Sequence, residues 1–537
     1  MGHLRVRDRR LGMITAVLVP IYLLSGDAGW LLGLRHYGLA ATRDVHLAIL
    51  CLVAACVFFA DSHVVVCRWP ALFEHVFDRT VMRRFSFVGA FLLFVGAWAA
   101  FPLQLTAVAW SVVGLVLLCL GRLLKFKQLP FEAHLFFACA LLSAVFTNLP
   151  SSAYWGNVSE RLVTVSLIAA LFYVASFWGG TGTEAWPHIS EALPAAYRWA
   201  ASMLLLLLAY YALRPVNVAP AWVVLGLVLA EIGFTRQLPD LRAQGYLSLA
   251  CAFVAIFFVN LNADAQVVGI STRLVTVVPV ALALYYEYFR LQSVSVDYRL
   301  EKRLHLATNA AWCGTVSIAA LLRFELSPDW VAAGWALLSF LLIAVAWRSG
   351  RELFLPQALA LALAATFRGV LHNLYERSYL PGPFWQSRTV CTSVTAALLF
   401  AALCFAFPLR RRMEATDAIR GTRRLTVLLH HPEQMLFYLP LGLVAALLAV
   451  TLRRGLVTVG WSALGVLVFL FALWIRQRSF RLAGLGLLLL GVAKMVVVDV
   501  WELSPGDRYL TFITLGSALL LVSFLYSRYR EAIWRYL

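Results

Sequence analysis

Residues 461–499 read WSALGVLVFLFALWIRQRSFRLAGLGLLLLGVAKMVVVD. Two apolar spans, near 457–475 and 480–499, are separated only by a short turn carrying Arg476 and Arg478, with Arg481 at the opening of the second span. Each span is close to the ~20 residues that cross a hydrocarbon core of ~30 Å. Gly465 follows Trp461 by four residues, and the second span closes on Asp499, 38 residues after the Trp. Arg508 then opens the next apolar run as Arg-Tyr-Leu-Thr.

The same order of landmarks occurs three more times upstream. Trp110/Gly114 leads to Asn148 and Arg161, Trp222/Gly226 to Asn260 and Arg273, and Trp330/Gly334 to Asn373 and Arg388. The Trp-to-polar distances are 38, 38, 43 and 38 residues in chain order, and the Trp residues recur at 112, 108 and 131. Self-similarity at a near-fixed period means a repeated structural unit.

Working outward gives eighteen apolar spans. Two lead, near 11–25 and 45–66, and four groups of four come after them. The expected organisation is 1–84 for the leading spans and a basic loop, then 85–196, 197–304 and 305–433 for the first three repeats. The third includes the basic loop 409–433, and 434–537 holds the fourth repeat and a basic tail. The fold class is therefore all-α, a polytopic helical membrane protein. An even number of spans per repeat makes the four repeats parallel rather than inverted.

Composition agrees. The chain is 62% apolar and only 13% charged, about half the usual charged share of a soluble domain. The net charge of +18 comes from Arg clusters between spans. That is the positive-inside pattern of cytoplasmic loops, not a nucleic-acid surface, and it puts both termini in the cytoplasm. Nine Cys lack CxxC spacing and read as apolar packing residues. The run Leu11–Ser25 after Arg5–Arg10 reads as an uncleaved signal anchor. No P-loop, HExxH or GxSxG occurs, so a single-chain ATPase is excluded. No cofactor or metal is expected.

Ionisable groups inside spans are costly and so are the first functional suspects. Five residues before the Asn or Asp stand Ser143, Ala255, Arg368 and Lys494, small in two copies and basic in two. The candidate binding set is Lys494, Asp499, Arg368, His372 and Asn373, with the four span-opening residues Arg161, Arg273, Arg388 and Arg508. Such Arg residues bind phosphate or carboxylate, or else snorkel to lipid head groups. Sixteen residues before the Asn or Asp stand Glu132, Gln244, Gln357 and Ala483, which suit helix starts electrostatically.

Three functions fit these residues. The first is a transporter or flippase-like protein for an anionic lipid or lipid-linked glycan of the cell envelope. The second is a membrane-embedded acyl- or glycosyl-transferase using His305, Asp61 or Asp44. The third is a non-catalytic scaffold. Membrane lipids are the expected partners.

The signature over 455–530 resembles a large bacterial family of predicted polytopic membrane proteins that carries only a domain-of-unknown-function label. It is carried by Trp461–Gly465, Arg481-Leu-Ala-Gly-Leu-Gly486, Lys494-Met-Val-Val-Val-Asp499, Arg508–Gly516 and Tyr526. The resemblance implies residence in the bacterial inner membrane and no particular activity.

Overall fold

A computed structural model describes residues 45–69, 76–126, 128–178, 187–267, 269–293, 299–351, 353–375, 386–417, 431–452, 454–502 and 505–528. The expected first span, Leu11–Ser25, lies outside them. The described chain is helical, apart from two short β-hairpins. Sixteen helices are long and apolar enough to cross a membrane. A further helix, Leu306–Glu325, falls where the sequence places the span 305–323.

In chain order, α1 is Val45–Arg68, α2 Val76–Ala100, α3 Leu103–Leu124 and α4 Gln128–Asn148. Then come α5 Glu160–Trp178, α6 Pro187–Ala212, α7 Pro215–Thr235 and α8 Pro239–Asn260. The next four are α9 Thr272–Ser293, α10 Leu306–Glu325, α11 Val331–Ser349 and α12 Phe354–Tyr375. The last five are α13 Ser387–Arg412, α14 Pro432–Thr451, α15 Arg454–Ile475, α16 Arg478–Asp499 and α17 Pro505–Arg528. Chain contacts divide the molecule into two compact units, 1–263 and 264–537. The division falls between α8 and α9, inside the second sequence repeat.

Each unit is built on antiparallel helix pairs that approach through small residues. In the first unit, α7 meets α8 at Gly226 and Gly245. A Cβ on Gly245 would lie 2.7 Å from the Gly226 carbonyl oxygen. In the second, α15 meets α16 at Gly465 and Gly484, with the corresponding distance 2.9 Å. Where α11 meets α12 the small pair is Ser339 and Ala358, and the Ser339 hydroxyl donates to the Ala358 carbonyl at 2.7 Å.

The Trp of each repeat has a definite task. Its indole N–H donates to a carbonyl sixteen residues earlier, on the preceding helix: Trp110 to Phe94, Trp222 to Leu206 and Trp461 to Ala445. In the third repeat the residue that makes this bond is Trp335, to Ala319 at 2.8 Å. Spacing to Gly points to Trp330 instead, which in the structure caps the start of α11. The reason is a local one: Trp330 has Gly four residues on, whereas Trp335 has Ser339. With Trp335 in register, the distance to Asn373 becomes 38 residues, as in the other three copies.

Large apolar side chains still face outward along the spans. Phe146 is 74% exposed, Phe258 77% and Trp474 80%. On helices whose backbone groups are bonded internally, such faces suit lipid rather than water.

Candidate functional site

The helices α4, α8, α12 and α16 each end in a π-helical turn: Ala144–Asn148, Ile256–Asn260, Gly369–Tyr375 and Met495–Asp499. A π-turn carries one extra residue and so rotates the rest of the helix by about 100°. Here it turns the Asn or Asp of each repeat inward, where all four are at most 1% exposed. Asn148, Asn260 and Asn373 each use Nδ2 to donate to a backbone carbonyl 44 residues earlier, on Gln104, Val216 and Asp329 respectively. The Asn therefore ties the end of its own helix to the start of the preceding one.

Asp499 has no N–H to donate, and its surroundings change accordingly. The Thr458 hydroxyl donates to one carboxylate oxygen, and Lys494 Nζ donates to the other at 2.5 Å. Lys494 also donates to Thr458 Oγ1 at 3.1 Å. The residues equivalent to Thr458 are Ala107, Ala219 and Ala332. Thr458, Lys494 and Asp499 thus depart from the repeat together. Five residues is an awkward helical spacing for an ion pair, and the π-turn between Lys494 and Asp499 supplies the closure.

The second departure is in the third repeat. Asp329, just before α11, accepts from Arg388 Nε at 3.1 Å and lies 3.6 Å from His372 Nε2. Arg368 donates to the Pro328 carbonyl at 3.0 Å, and Asn373 donates to the Asp329 carbonyl at 3.1 Å. Arg368, His372, Asn373 and Arg388 are thus gathered on the short segment Pro328–Asp329. The Asp329 side chain is 24% exposed and that of Arg388 30%, so the cluster reaches the surface. Arg388 and His372 face the Asp329 carboxylate, and Arg368 holds the Pro328 carbonyl beside it. Glu376, next in sequence, lies outside the described residues.

Two other span-opening residues, Arg161 and Arg273, hold neighbouring helices. Arg161 Nη1 donates to the Tyr211 carbonyl at 2.7 Å. Arg273 Nη1 donates to the Phe324 carbonyl at 3.3 Å, and Nη2 bonds Asp264. Both carbonyls are at helix C-terminal ends, where a cation is electrostatically favoured. Before these Arg residues the chain turns in short hairpins, Tyr154–Trp155 with Val158–Ser159, and Gln266–Val267 with Ile270–Ser271. Gly156 and Gly269, at φ +61° and +76°, permit the turns. Arg508 lies in the first turn of α17, the helix that follows the one carrying Lys494.

Sixteen residues before the Asn, the amides are not merely helix-start groups. Ser202 bonds both Tyr173 and Gln244, and Thr315 bonds both Tyr285 and Gln357, the latter at 2.7 Å. Each is a polar bridge across three helices. Glu132, the equivalent of the two Gln residues, is 1% exposed. On the neighbouring helix Ser86 lies 3.1 Å from His63 Nε2. Of the residues suited to transfer chemistry, Asp61 and His63 are buried on a π-turn of α1. His305 caps α10 with φ +48°, and Asp44 lies outside the described residues.

Sequence reasoning missed Asp329 and Thr458. Both become visible once Trp335 sets the register. Thr458 is then the one hydroxyl against three Ala, and Asp329 falls at the position whose carbonyl receives the Asn.

The chain belongs to the family described as Predicted membrane protein (DUF2339), which matches residues 11–529. It is a polytopic membrane protein whose helices sit in lipid, and the family is a domain of unknown function. No curated protein matches it, and no solved structure does.

Proposed function

We propose that the protein is a transporter or flippase-like protein of the bacterial inner membrane, with both termini cytoplasmic, acting on an anionic lipid or lipid-linked glycan. Contacts that recur in every repeat serve the scaffold, while departures from the repeat mark what this chain does beyond standing in a membrane. The observation that carries the reading is the Asp329 cluster, where Arg368, His372 and Arg388 converge on one short segment at a span end. The two guanidinium groups gathered there suit a phosphate or carboxylate head group. The Lys494–Asp499 pair is the more deeply buried, 19% and 2% exposed against 30% and 24% for Arg388 and Asp329, so the reading gives the first contact with substrate to the third repeat. Arg-rich loops on one side of the spans support the orientation.

The test is ligand-dependent stability of the full chain in detergent. Inorganic pyrophosphate and short-chain phosphatidylglycerol serve as probes. At about 100 times Kd a ligand that binds only the folded protein adds about 2.7 kcal/mol. A rise in unfolding temperature that Arg368→Gln/Arg388→Gln removes is the expected result. No rise with either probe, or an equal rise in the variant, rejects the assignment.

One observation favours a second reading, a membrane-embedded transferase: the buried pair of His63 Nε2 and Ser86 Oγ at 3.1 Å. Ser86→Ala would then abolish turnover of an envelope glycan while leaving protein abundance unchanged.

A further inference from the structure

The polar bridge that joins three helices twice is missing in a third place. Tyr173, Ser202 and Gln244 form it in the first unit, and Tyr285, Thr315 and Gln357 form it in the second. The next equivalent positions are Phe400 on α13, Leu441 on α14 and Ala483 on α16. None has a side-chain polar atom. Phe400 lines a cleft of about 810 Å³ between α13, α14 and α15. Its walls are apolar and aromatic: Phe400, Phe407, Phe437, Phe471 and Trp474 are the large side chains. Phe437 is 6.1 Å from Phe400 and 6.3 Å from Phe471 between ring centroids, so the rings form a continuous wall. That volume is within the range of pockets that hold a small molecule.

The polar groups of the cleft are at one end, Arg411 and Gln477. Arg410 pairs with Glu433 at 2.7 Å, and Arg412 donates to the Trp347 carbonyl at 2.5 Å while its guanidinium lies over the Trp347 ring. Of these three consecutive Arg residues, Arg411 is the one that lines the cleft. Arg388 and Arg411 mark the two ends of α13, about 34 Å apart along an ideal helix, which is about one bilayer thickness. The cleft therefore opens at the opposite span end from the Asp329 cluster, on the side of the basic segment 409–433.

We infer that this cleft is a lipid site, holding one hydrocarbon chain of a bilayer lipid against the aromatic wall with an anionic head group on Arg411. The exposure of one wall identifies the occupant as lipid. Trp474 is 80% exposed on a span face, so the cleft adjoins lipid rather than water. Bilayer tails are as apolar as the cleft, so the chain alone brings little preference. Selectivity then rests on the head group, and one basic residue at the membrane surface corresponds to about a fivefold preference for an anionic lipid. The inference does not depend on the Asp329 cluster, and either site can fail without the other.

The experiment is fluorescence quenching in reconstituted vesicles. The full chain is placed in phosphatidylcholine containing either brominated phosphatidylglycerol or brominated phosphatidylcholine. The protein has 18 Trp residues, so the Trp474 signal is taken as wild type minus Trp474→Phe. Half-quenching at about a fivefold lower fraction of brominated phosphatidylglycerol is expected. Arg411→Gln should erase that difference, and Arg412→Gln should keep it. Equal half-quenching by both lipids in wild type overturns the site, as does a preference that Arg411→Gln leaves intact.

Discussion

Replacing Lys494 by Met leaves the Asp499 carboxylate, 2% exposed, with the Thr458 hydroxyl but without its cation. Breaking a buried ion pair costs about 3–5 kcal/mol in soluble proteins. Interhelical polar contacts in membranes are worth less, about 0.6–1.7 kcal/mol. Lys494 is 19% exposed, so an intermediate cost of about 2–3 kcal/mol is expected for Lys494→Met. Asp499→Asn should cost about 1–2 kcal/mol, because it strands the ammonium but restores an amide donor. The triple change Thr458→Ala/Lys494→Ala/Asp499→Asn copies Ala219, Ala255 and Asn260, a set that already works in the second repeat. Its new Asn can donate to the Gly455 carbonyl as Asn260 does to Val216. The triple variant should therefore lie within about 1 kcal/mol of wild type, well short of the sum of its parts. Unfolding in mixed micelles of the triple variant and of its three single variants measures this. Strictly additive costs, with a coupling below about 0.5 kcal/mol, would refute the view that the three residues are one replacement for the Asn tie.

Other changes test single contacts. Trp335→Phe removes the bond to Ala319 and should cost about 1 kcal/mol or more in thermal unfolding, whereas Trp330→Phe should stay within about 0.5 kcal/mol. Gly245→Ala places a Cβ 2.7 Å from a backbone oxygen and should destabilise by about 1–3 kcal/mol. Gly486→Ala meets nothing within 4 Å and should be neutral or stabilising by up to about 1 kcal/mol in the same assay. Gln357→Leu removes the bond from the Thr315 hydroxyl but leaves it the Ala311 carbonyl at 3.1 Å, and should lower stability by about 0.5–1.5 kcal/mol.

Much of the architecture was legible because span length and loop charge are set by the bilayer and leave their mark on every segment. The helix ends in the structure fall within a few residues of the spans read from sequence, except where polar turns continue a helix past the membrane, as at Val76 and Pro187. The Asn and Asp positions were legible too, because a polar residue closing an apolar run is conspicuous. Their role was not. An Asn that satisfies a carbonyl 44 residues away looks the same in sequence as one that faces a ligand. The π-turns were equally hidden, since one extra residue within an apolar helix changes no pattern of composition. The partner of Arg388 was missed because Asp329 precedes a span and was hidden by a five-residue error of register at Trp330. The aromatic cleft could not be read at all: one of its walls is Phe400, and that Phe400, Leu441 and Ala483 are apolar where their equivalents are polar needs the corrected register to notice.

The most direct test of the central claim is mass spectrometry of the molecules that co-purify with the full chain from its native membrane in mild detergent. The account predicts a specific anionic lipid or lipid-linked glycan that is retained by wild type and lost from Arg368→Gln/Arg388→Gln. Bulk phospholipid alone, identical in the two preparations, would contradict it and leave the Asp329 cluster as one more tie between helices.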